Sequence, residues 1–243
     1  MTKFKTILAV LAMFFMIIAA LLTSFQIAIY GDPQYGFYES LYEKYHVTEE
    51  LHMELSDVME VTDYMMAYLI GEEDELSIVT DVDGREQDFF NEQDRLHMAD
   101  VKNLFLGGLK VRTVLLILAA LIVIVLSVWK AEVRELLTRA YSWALGVFAA
   151  AIVFLGIGFA IDFTACFRVF HEIFFTNDLW MFDPAEDYMI RMLPEGFFSD
   201  MVIRIGLIFL GFLLGIWILL RVWKMLAARV KKDGQPDARM GSK

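Results

Sequence analysis

Cysteine is nearly absent from this chain. Cys166 is the only one in 243 residues, so no intrachain disulfide forms and packing alone must hold the fold. With no basic neighbour in sequence, that thiol reads as a small packing residue and not as a nucleophile. Charge is also scarce: 22% of residues are charged against 58% hydrophobic, too apolar a balance for an ordinary soluble domain. There is no phosphate-cradling glycine loop, no GxSxG elbow, no HExxH helix and no paired CxxC. Those absences set aside the common nucleotide, serine-hydrolase and zinc chemistries. No cofactor and no metal is expected. Histidine is limited to four residues.

What the chain has instead is long apolar runs. Four of them, Thr6–Tyr30, Val111–Trp129, Ala140–Asp162 and Met201–Trp223, reach or nearly reach the ~20 residues that cross a hydrocarbon core. The expected fold class is an α-helical integral membrane protein, with four transmembrane helices and a mixed, mostly helical extracellular cap built from two outer segments. The runs are almost free of ionisable residues at mid-depth and none is broken, which argues against an ion pathway or a transporter. The first run exceeds the roughly 7–15 apolar residues of a cleaved signal, and Gln26-Ile27-Ala28-Ile29-Tyr30 is a poor cleavage site. An uncleaved signal anchor is expected.

Charge placement gives an orientation. Lys3 and Lys5 flank the first run. Lys130, Arg134 and Arg139 lie between the second and third, and Arg221, Lys224, Arg229, Lys231 and Lys232 follow the fourth. By the positive-inside rule these regions are cytoplasmic, and so are both termini. Between Tyr30 and Arg112 stand 20 Asp/Glu against 6 Lys/Arg, so the net charge of −11 belongs to an outer segment. No nucleic-acid partner is expected; membrane lipid is. The organisation is then 1–30 cytoplasmic N-terminus and first span, 31–110 acidic extracellular domain, 111–129 second span and 130–139 basic cytoplasmic loop. There follow 140–162 third span, 163–200 aromatic-rich extracellular loop, 201–223 fourth span and 224–243 basic cytoplasmic tail.

Within the acidic segment, Tyr35, Phe37, Tyr38, Tyr42 and Tyr45 follow an exit turn at Gly31-Asp32-Pro33, where aromatics commonly sit at headgroup level. Thr48 is placed to cap a helix that runs through Leu51, Leu55, Val58 and Leu69 to Gly71. Leu76–Val82 reads as a strand that turns at Asp83-Gly84 into a pairing segment. Helical spacing resumes at Phe89 and carries His97 and Asp100 on one face. Gly107-Gly108 offers a hinge before the second run. In the second outer segment Phe163, Phe167, Phe170 and Phe174 follow helical spacing beside His171, as a helix extending the third span or lying in the interface. Asp183-Pro184-Ala185-Glu186 is a helix start, with Asp183 as the cap, and Pro194 ends that helix. Asp162 and Arg204 are expected to pair at the mouth of the bundle, although simple snorkelling also explains Arg204.

His97 and His171 are the candidate catalytic residues, because imidazole exchanges protons near neutral pH and both follow from the topology to one side of the membrane. Asp100 is placed to orient the His97 ring; an incidental surface histidine is the plainer account. For His171 the plainer account is a structural histidine. Other functional readings are a membrane-tethered metal-dependent enzyme using the histidines and nearby carboxylates, although no local ligand pair supports it, and a non-catalytic sensor or scaffold.

Several segments together carry a resemblance. Phe37-Tyr38-Glu39-Ser40-Leu41-Tyr42-Glu43-Lys44-Tyr45, Tyr68-Leu69-Ile70-Gly71, and Phe90-Asn91 followed by His97-Met98-Ala99-Asp100-Val101 resemble the first outer domain of the bacterial lipoprotein intramolecular transacylases (Lit). The second loop matches through Phe170-His171-Glu172-Ile173-Phe174-Phe175, Asn177-Asp178-Leu179-Trp180, Phe182-Asp183-Pro184 and Leu193-Pro194-Glu195-Gly196-Phe197-Phe198. The resemblance spans nearly the whole chain and stops before the tail that follows Lys231. It implies a multi-pass enzyme of the bacterial plasma membrane with its site on the outer face. Its substrate would be a diacylglyceryl-cysteine lipoprotein, whose secondary-ester acyl chain moves to the α-amino group and leaves the N-acyl lyso form. His97 would be the base towards the amine and His171 the group at the ester, with Asp100, Asp183, Arg204 and Tyr38 in support.

Overall fold

Four helices carry apolar stretches long enough to cross a membrane, and they enclose the order of everything else. The structure, a computed structural model, describes residues 2–129 and 131–233, with side chains over 3–226 of these. Lys130 and the side chains of Arg229, Lys231 and Lys232, which bear on the orientation, lie outside the described residues. The order is α1 (Thr2–Tyr30), α2 (Gly36–Lys44), α3 (Val47–Leu51), α4 (Leu55–Ile70), β1 (Val79–Val82), β2 (Arg85–Asp88) and α5 (Glu92–Val128). Then come α6 (Val133–Ile161), α7 (Phe163–Phe174), α8 (Tyr188–Met192) and α9 (Glu195–Asp233). The candidate spans lie in α1, α5, α6 and α9. At 1.5 Å per residue the 37-residue α5 is about 55 Å long, so only its charge-poor C-terminal part, from about Val111, is needed to span.

One compact unit consists of Met1–Leu21, Arg112–Val153 and Leu207–Lys243. Its core is small-residue packing: Ala9 and Ala12 of α1, with Met13 and Ile17, meet Leu126 of α5, Ala140, Tyr141 and Ala144 of α6, and Phe209 and Leu213 of α9. Alanines let helix backbones approach where lipid gives no hydrophobic drive for association. The buried Tyr141 hydroxyl donates to the Leu213 carbonyl at 2.6 Å. Outward-facing side chains such as Val114, Ile117, Leu121 and Ile124 of α5, and Val153 of α6, are left exposed. In water that surface would be a liability; against acyl chains it costs nothing.

The second unit consists of Leu22–Val111 and Phe154–Gly206. The expected helix from Thr48 to Gly71 is in fact two. His52 adopts the left-handed conformation (φ 49°) and ends α3, and α4 restarts at Leu55 without a side-chain cap. Thr48 therefore lies inside α3, which His46 precedes. The break is stabilised from outside: Asp83 N–H donates to the Leu51 carbonyl at 3.1 Å, and the Asp83 carboxylate meets His52 Nδ1 at 2.9 Å. Asp83 itself sits in the β1–β2 turn, where it and Gly84 both have positive φ, as a two-residue hairpin turn requires. The two strands pair antiparallel, Val79 with Asp88 and Val82 with Arg85. Gly71 ends α4 at φ 85°, as its sequence position implies.

A further expectation is corrected: Phe89 and Phe90 are buried in the approach to α5 and are not part of it. Gly107-Gly108 lies within α5, which runs through both without interruption. Gly196 has a steric role: a Cβ there would lie 2.4 Å from the Tyr45 ring, so a larger residue would have to displace that ring where α9 starts.

Arg191 of α8 ties the hairpin down. Its guanidinium donates to both Asp83 carboxylate oxygens, at 2.9 and 3.1 Å, and to the Glu50 carbonyl. These bonds, with that from His52, hold Asp83 down at a pKa of about 2. The stabilisation is complete above the ordinary carboxylate pKa of 3.8 and is lost as pH falls towards about 2. Arg191→Met is expected to lower stability by on the order of 2 kcal/mol, the scale for hydrogen bonds to a charged group. Thermal unfolding of the solubilised protein at pH 7 and pH 3 reads both effects, and the difference between variant and wild type should shrink at the lower pH.

Candidate active site

Asn91 and Asp94 open α5 with a reciprocal cap. Asn91 N–H donates to Asp94 Oδ2 at 3.0 Å, and Asp94 N–H donates to Asn91 Oδ1 at 2.9 Å, an amide–carboxylate version of the capping box. The cap sets the phase of the following turns and puts His97 on a buried face, at 5% exposure. α7 supplies the second imidazole. Asp162 caps it by accepting from Ala165 N–H at 2.9 Å, and His171 lies near its C-terminal end, also buried. The His97 and His171 ring centroids are 6.0 Å apart at 30°.

Aromatic rings close around the pair. His97 has Phe175 at 5.2 Å and Phe182 at 5.3 Å. His171 has Phe167 at 4.3 Å, Trp180 stacked at 5.0 Å, Phe170 at 5.4 Å and Phe175 at 5.6 Å. The loop carrying Trp180 and Phe182 is held by polar side chains of α5. Gln93 donates to the carbonyls of Leu179 and Met181 at 3.1 and 3.0 Å, and Asp100 accepts from the Asn177 amide at 2.9 Å. Trp180 is locked by its own indole N–H on the Asn177 carbonyl, 2.9 Å. A strip of α5 thus bonds to the wall that faces its own histidine.

The protonation states follow from this setting. His171 Nδ1 lies 2.8 Å from the Phe167 carbonyl. A carbonyl only accepts, so Nδ1 carries the proton and Nε2 keeps its lone pair. Burial pushes the His171 pKa down, against that bond. Burial, with the neighbouring His171, pushes His97 down to about 4, and the Asp100 charge opposes the shift only in part. Both rings are therefore neutral at pH 7. Asp94 is displaced the other way, up to about 7, because burial outweighs its bond from Asn91 N–H.

The remaining candidates are placed differently. Asp183 does not cap α8. Its carboxylate accepts from Ala185 N–H at 2.9 Å and its carbonyl from Glu186 and Asp187 N–H, while Asp187 Oδ2 accepts from Asp183 N–H. That closes a turn, and the helix begins only at Tyr188; the local signal was satisfied by a turn before any helix could form. Pro194 does stand between α8 and α9. Asp162 and Arg204 do not pair: Asp162 is taken up by its cap, and the Arg204 guanidinium lies over the Phe37 ring at 4.1 Å, a cation–π contact. Tyr38 is buried against Tyr35 at 5.5 Å and Phe197 at 5.2 Å. Rings continue from Phe197 through Phe198 and Phe167 to His171, so Tyr38 belongs to the same aromatic network without touching either histidine. A concavity of about 430 Å³ lined by Tyr35, Glu60, Asp63, Tyr64 and Glu73 lies apart from the histidines. Among the described residues no three His, Cys, Asp or Glu side chains converge as metal ligands would. Sequence reasoning had not singled out Asn177, Gln93 or Asp94. For Asp94 a signal existed, since it stands three residues before His97 as Asp100 stands three after.

Four apolar membrane-crossing helices and two neutral imidazoles buried among aromatic rings define an integral membrane protein equipped for proton transfer beside apolar groups. Residues 10–198 match the family described as lipoprotein intramolecular transacylase Lit, and the chain belongs to that family of membrane acyltransferases. Its fold is that of the membrane integral Lit of Bacillus cereus, with a TM-score of 0.71 at 21% identity over 93% of this chain and 100% of that one. Two histidine variants of the same protein give the same result. The histidine-to-alanine form has a TM-score of 0.70 at 20% identity, covering 94% and 97% of the two chains. The histidine-to-arginine form has 0.69 at 22%, covering 93% and 96%. No curated protein matches the chain.

Burial of a neutral His97 has a measurable linkage. The unfolded chain binds the proton near 6.5 and the folded one only near 4, so this contribution is complete above 6.5 and declines as pH falls through that window. Asp94 acts oppositely, losing stability as pH rises towards about 7. Relative to wild type, His97→Gln is expected to gain thermal stability as the pH is lowered from 6.5 to 4. An unchanged difference across that range would contradict the buried neutral ring.

Proposed function

We propose that the chain moves the secondary-ester acyl group of a diacylglyceryl-cysteine lipoprotein onto that cysteine's own α-amino group, using His97 and His171 on the outer face of the bacterial plasma membrane. The observation that carries the assignment of residues is the pair of neutral rings, 6.0 Å apart, within an aromatic wall suited to acyl chains. The reaction connects nitrogen, Cα, Cβ, sulfur, two glycerol carbons, ester oxygen and acyl carbon in an eight-membered cyclic intermediate. Medium rings close reluctantly in a flexible chain, so holding amine and ester together is a large part of catalysis.

Proton accounting gives each histidine a task. The α-ammonium must lose one proton before it attacks. The attacking nitrogen loses a second as the intermediate collapses, and the glycerol oxygen gains one as it departs. His97 is the acceptor for the ammonium proton. A base near 4 facing an α-ammonium near 8 leaves that transfer uphill by about four pK units, on the order of 5 kcal/mol. Binding reduces the gap in two ways: the acyl chains exclude water from the ammonium as well, and the carboxylates of α5 favour an imidazolium. Asp100 contributes through its charge and by anchoring the wall through Asn177. His171 has Nε2 as its free atom, an acceptor. That favours a shuttle from the attacking nitrogen to the departing oxygen over donation to the ester carbonyl from the neutral ring. Arg204 and Tyr38 support the aromatic network, and Asp183 shapes the loop that carries Phe182.

The direct test is mass spectrometry of a diacylglyceryl lipopeptide incubated with purified protein. His97→Ala and His171→Ala should each remain folded and slow appearance of the lyso form at least ~100-fold, the low end for one lost acid–base group. His171→Gln should be as slow as His171→Ala, because an amide cannot carry the proton, and Asp100→Asn should keep weakened turnover. Wild-type rates in either alanine variant would remove that histidine from the mechanism. For orientation, Glu73→Cys should react with an impermeant thiol reagent in intact cells. Labelling only after permeabilisation would invert the topology.

A further inference from the structure

Two buried side-chain polar atoms have no hydrogen-bond partner among the described residues: Asp94 Oδ1 and His97 Nδ1. They stand three residues apart on α5, one turn along the same face. One is an acceptor and the other carries a proton in one tautomer of the ring. Asp94 is fully buried and His97 nearly so, where unpaired polar groups are costly and rare. The alternatives are already engaged. His171 Nδ1 is satisfied by the Phe167 carbonyl, and Asp100 Oδ2 by the Asn177 amide. The N-terminal cap uses only Asp94 Oδ2, which leaves Oδ1 for another donor.

We propose that Asp94 is the positioning carboxylate of His97: on catalysis it accepts from Nδ1–H, fixes that tautomer and presents the Nε2 lone pair to the substrate amine. The proposal rests on His97 being the base. The bond would close by rotation of the ring or of the carboxylate, directly or through one water. No covalent change is involved. The proton taken from the ammonium stays on Nε2, and the carboxylate stabilises the cation that forms.

The electrostatic surroundings fit this division. Asp94 faces Asp187 ahead of α8 and Asp88 of β2, which raise its pKa, and Arg95, which lowers it. His97 faces His171 of α7, which disfavours a second positive charge, and Asp100, which favours one. Separately, burial drives Asp94 and His97 each towards its neutral form. Bonded to one another during turnover, they share one charge-assisted hydrogen bond, and the carboxylate makes His97 a stronger base than burial alone allows.

Asp94→Asn is the informative variant, because its amide oxygen still serves the Asn91 N–H and preserves the cap while the charge is removed. In the purified full-length protein with diacylglyceryl lipopeptide, kcat is expected to fall at least ~10-fold, the scale for lost orienting partners, with KM little changed. The acid limb of the kcat–pH profile should move to lower pH, because His97 loses basicity, and Asp94→Glu should recover part of the rate. A cap residue alone would change thermal stability and leave the limb in place; that result overturns the proposal. Should Asp94→Asn fail to fold, the wild-type protein decides. With 15N-labelled histidine at pH 8, and His97→Gln to assign the signal, the His97 Nδ1 should carry the proton with substrate analogue bound. A bare Nδ1 there rejects the pairing. Normal turnover by His97→Gln would sink the base assignment itself, a result distinct from an inactive His97→Gln beside an Asp94→Asn with a wild-type limb.

Discussion

Two imidazoles are held out of water with their centres 6.0 Å apart, and that setting favours the neutral form of each ring. Desolvation disfavours the cation on each ring, and His171 disfavours it further on His97. The rest of the site keeps that state in place while preparing for its reversal. Phe167, Phe170, Phe175, Phe182 and Trp180 exclude solvent. The Phe167 carbonyl selects one tautomer of His171. Carboxylates stand along α5, where a cation on His97 would be stabilised. In the proposed acyl transfer from an ester to an ammonium these rings would serve as bases, weak at rest and strengthened when substrate is seated.

The wall around the rings depends on a strip of α5. Asn91 and Asp94 set where the helix begins, Gln93 reaches two loop carbonyls, and Asp100 holds Asn177. All project from a few turns of one rigid element, so the distance between His97 and the loop that encloses it is set by helix geometry and not by the loop itself. Sites supported in this way hold their geometry better than sites assembled from loops. The loop contributes apolar surface, and the helix contributes its position.

Periodicity and local signals carried much of the fold. Uniformly apolar runs of spanning length have one low-energy arrangement in lipid, so the four spans were readable from composition alone. The Asp83-Gly84 turn and the Gly71 stop were readable because positive φ restricts the choice of residue. The misses lie where contacts other than the expected ones won a local competition. The helix expected from Thr48 to Gly71 broke at His52, where Asp83 of the hairpin reaches the Leu51 carbonyl. Asp183 satisfied its own turn before α8 could start.

By itself the sequence determined the membrane class, the count of spans and the hairpin turn, and it singled out two histidines as candidates, since each is written in short-range pattern or in residue chemistry. Tertiary structure alone decided which groups face each other. It brought α7 to α5 so that His171 meets His97. It placed Asn177 on Asp100 and Arg204 over Phe37, and it buried Asp94 and His97 together. Burial, and with it the shifts of His97, His171 and Asp94, arises from contacts between residues far apart in the chain, and no local pattern encodes such contacts.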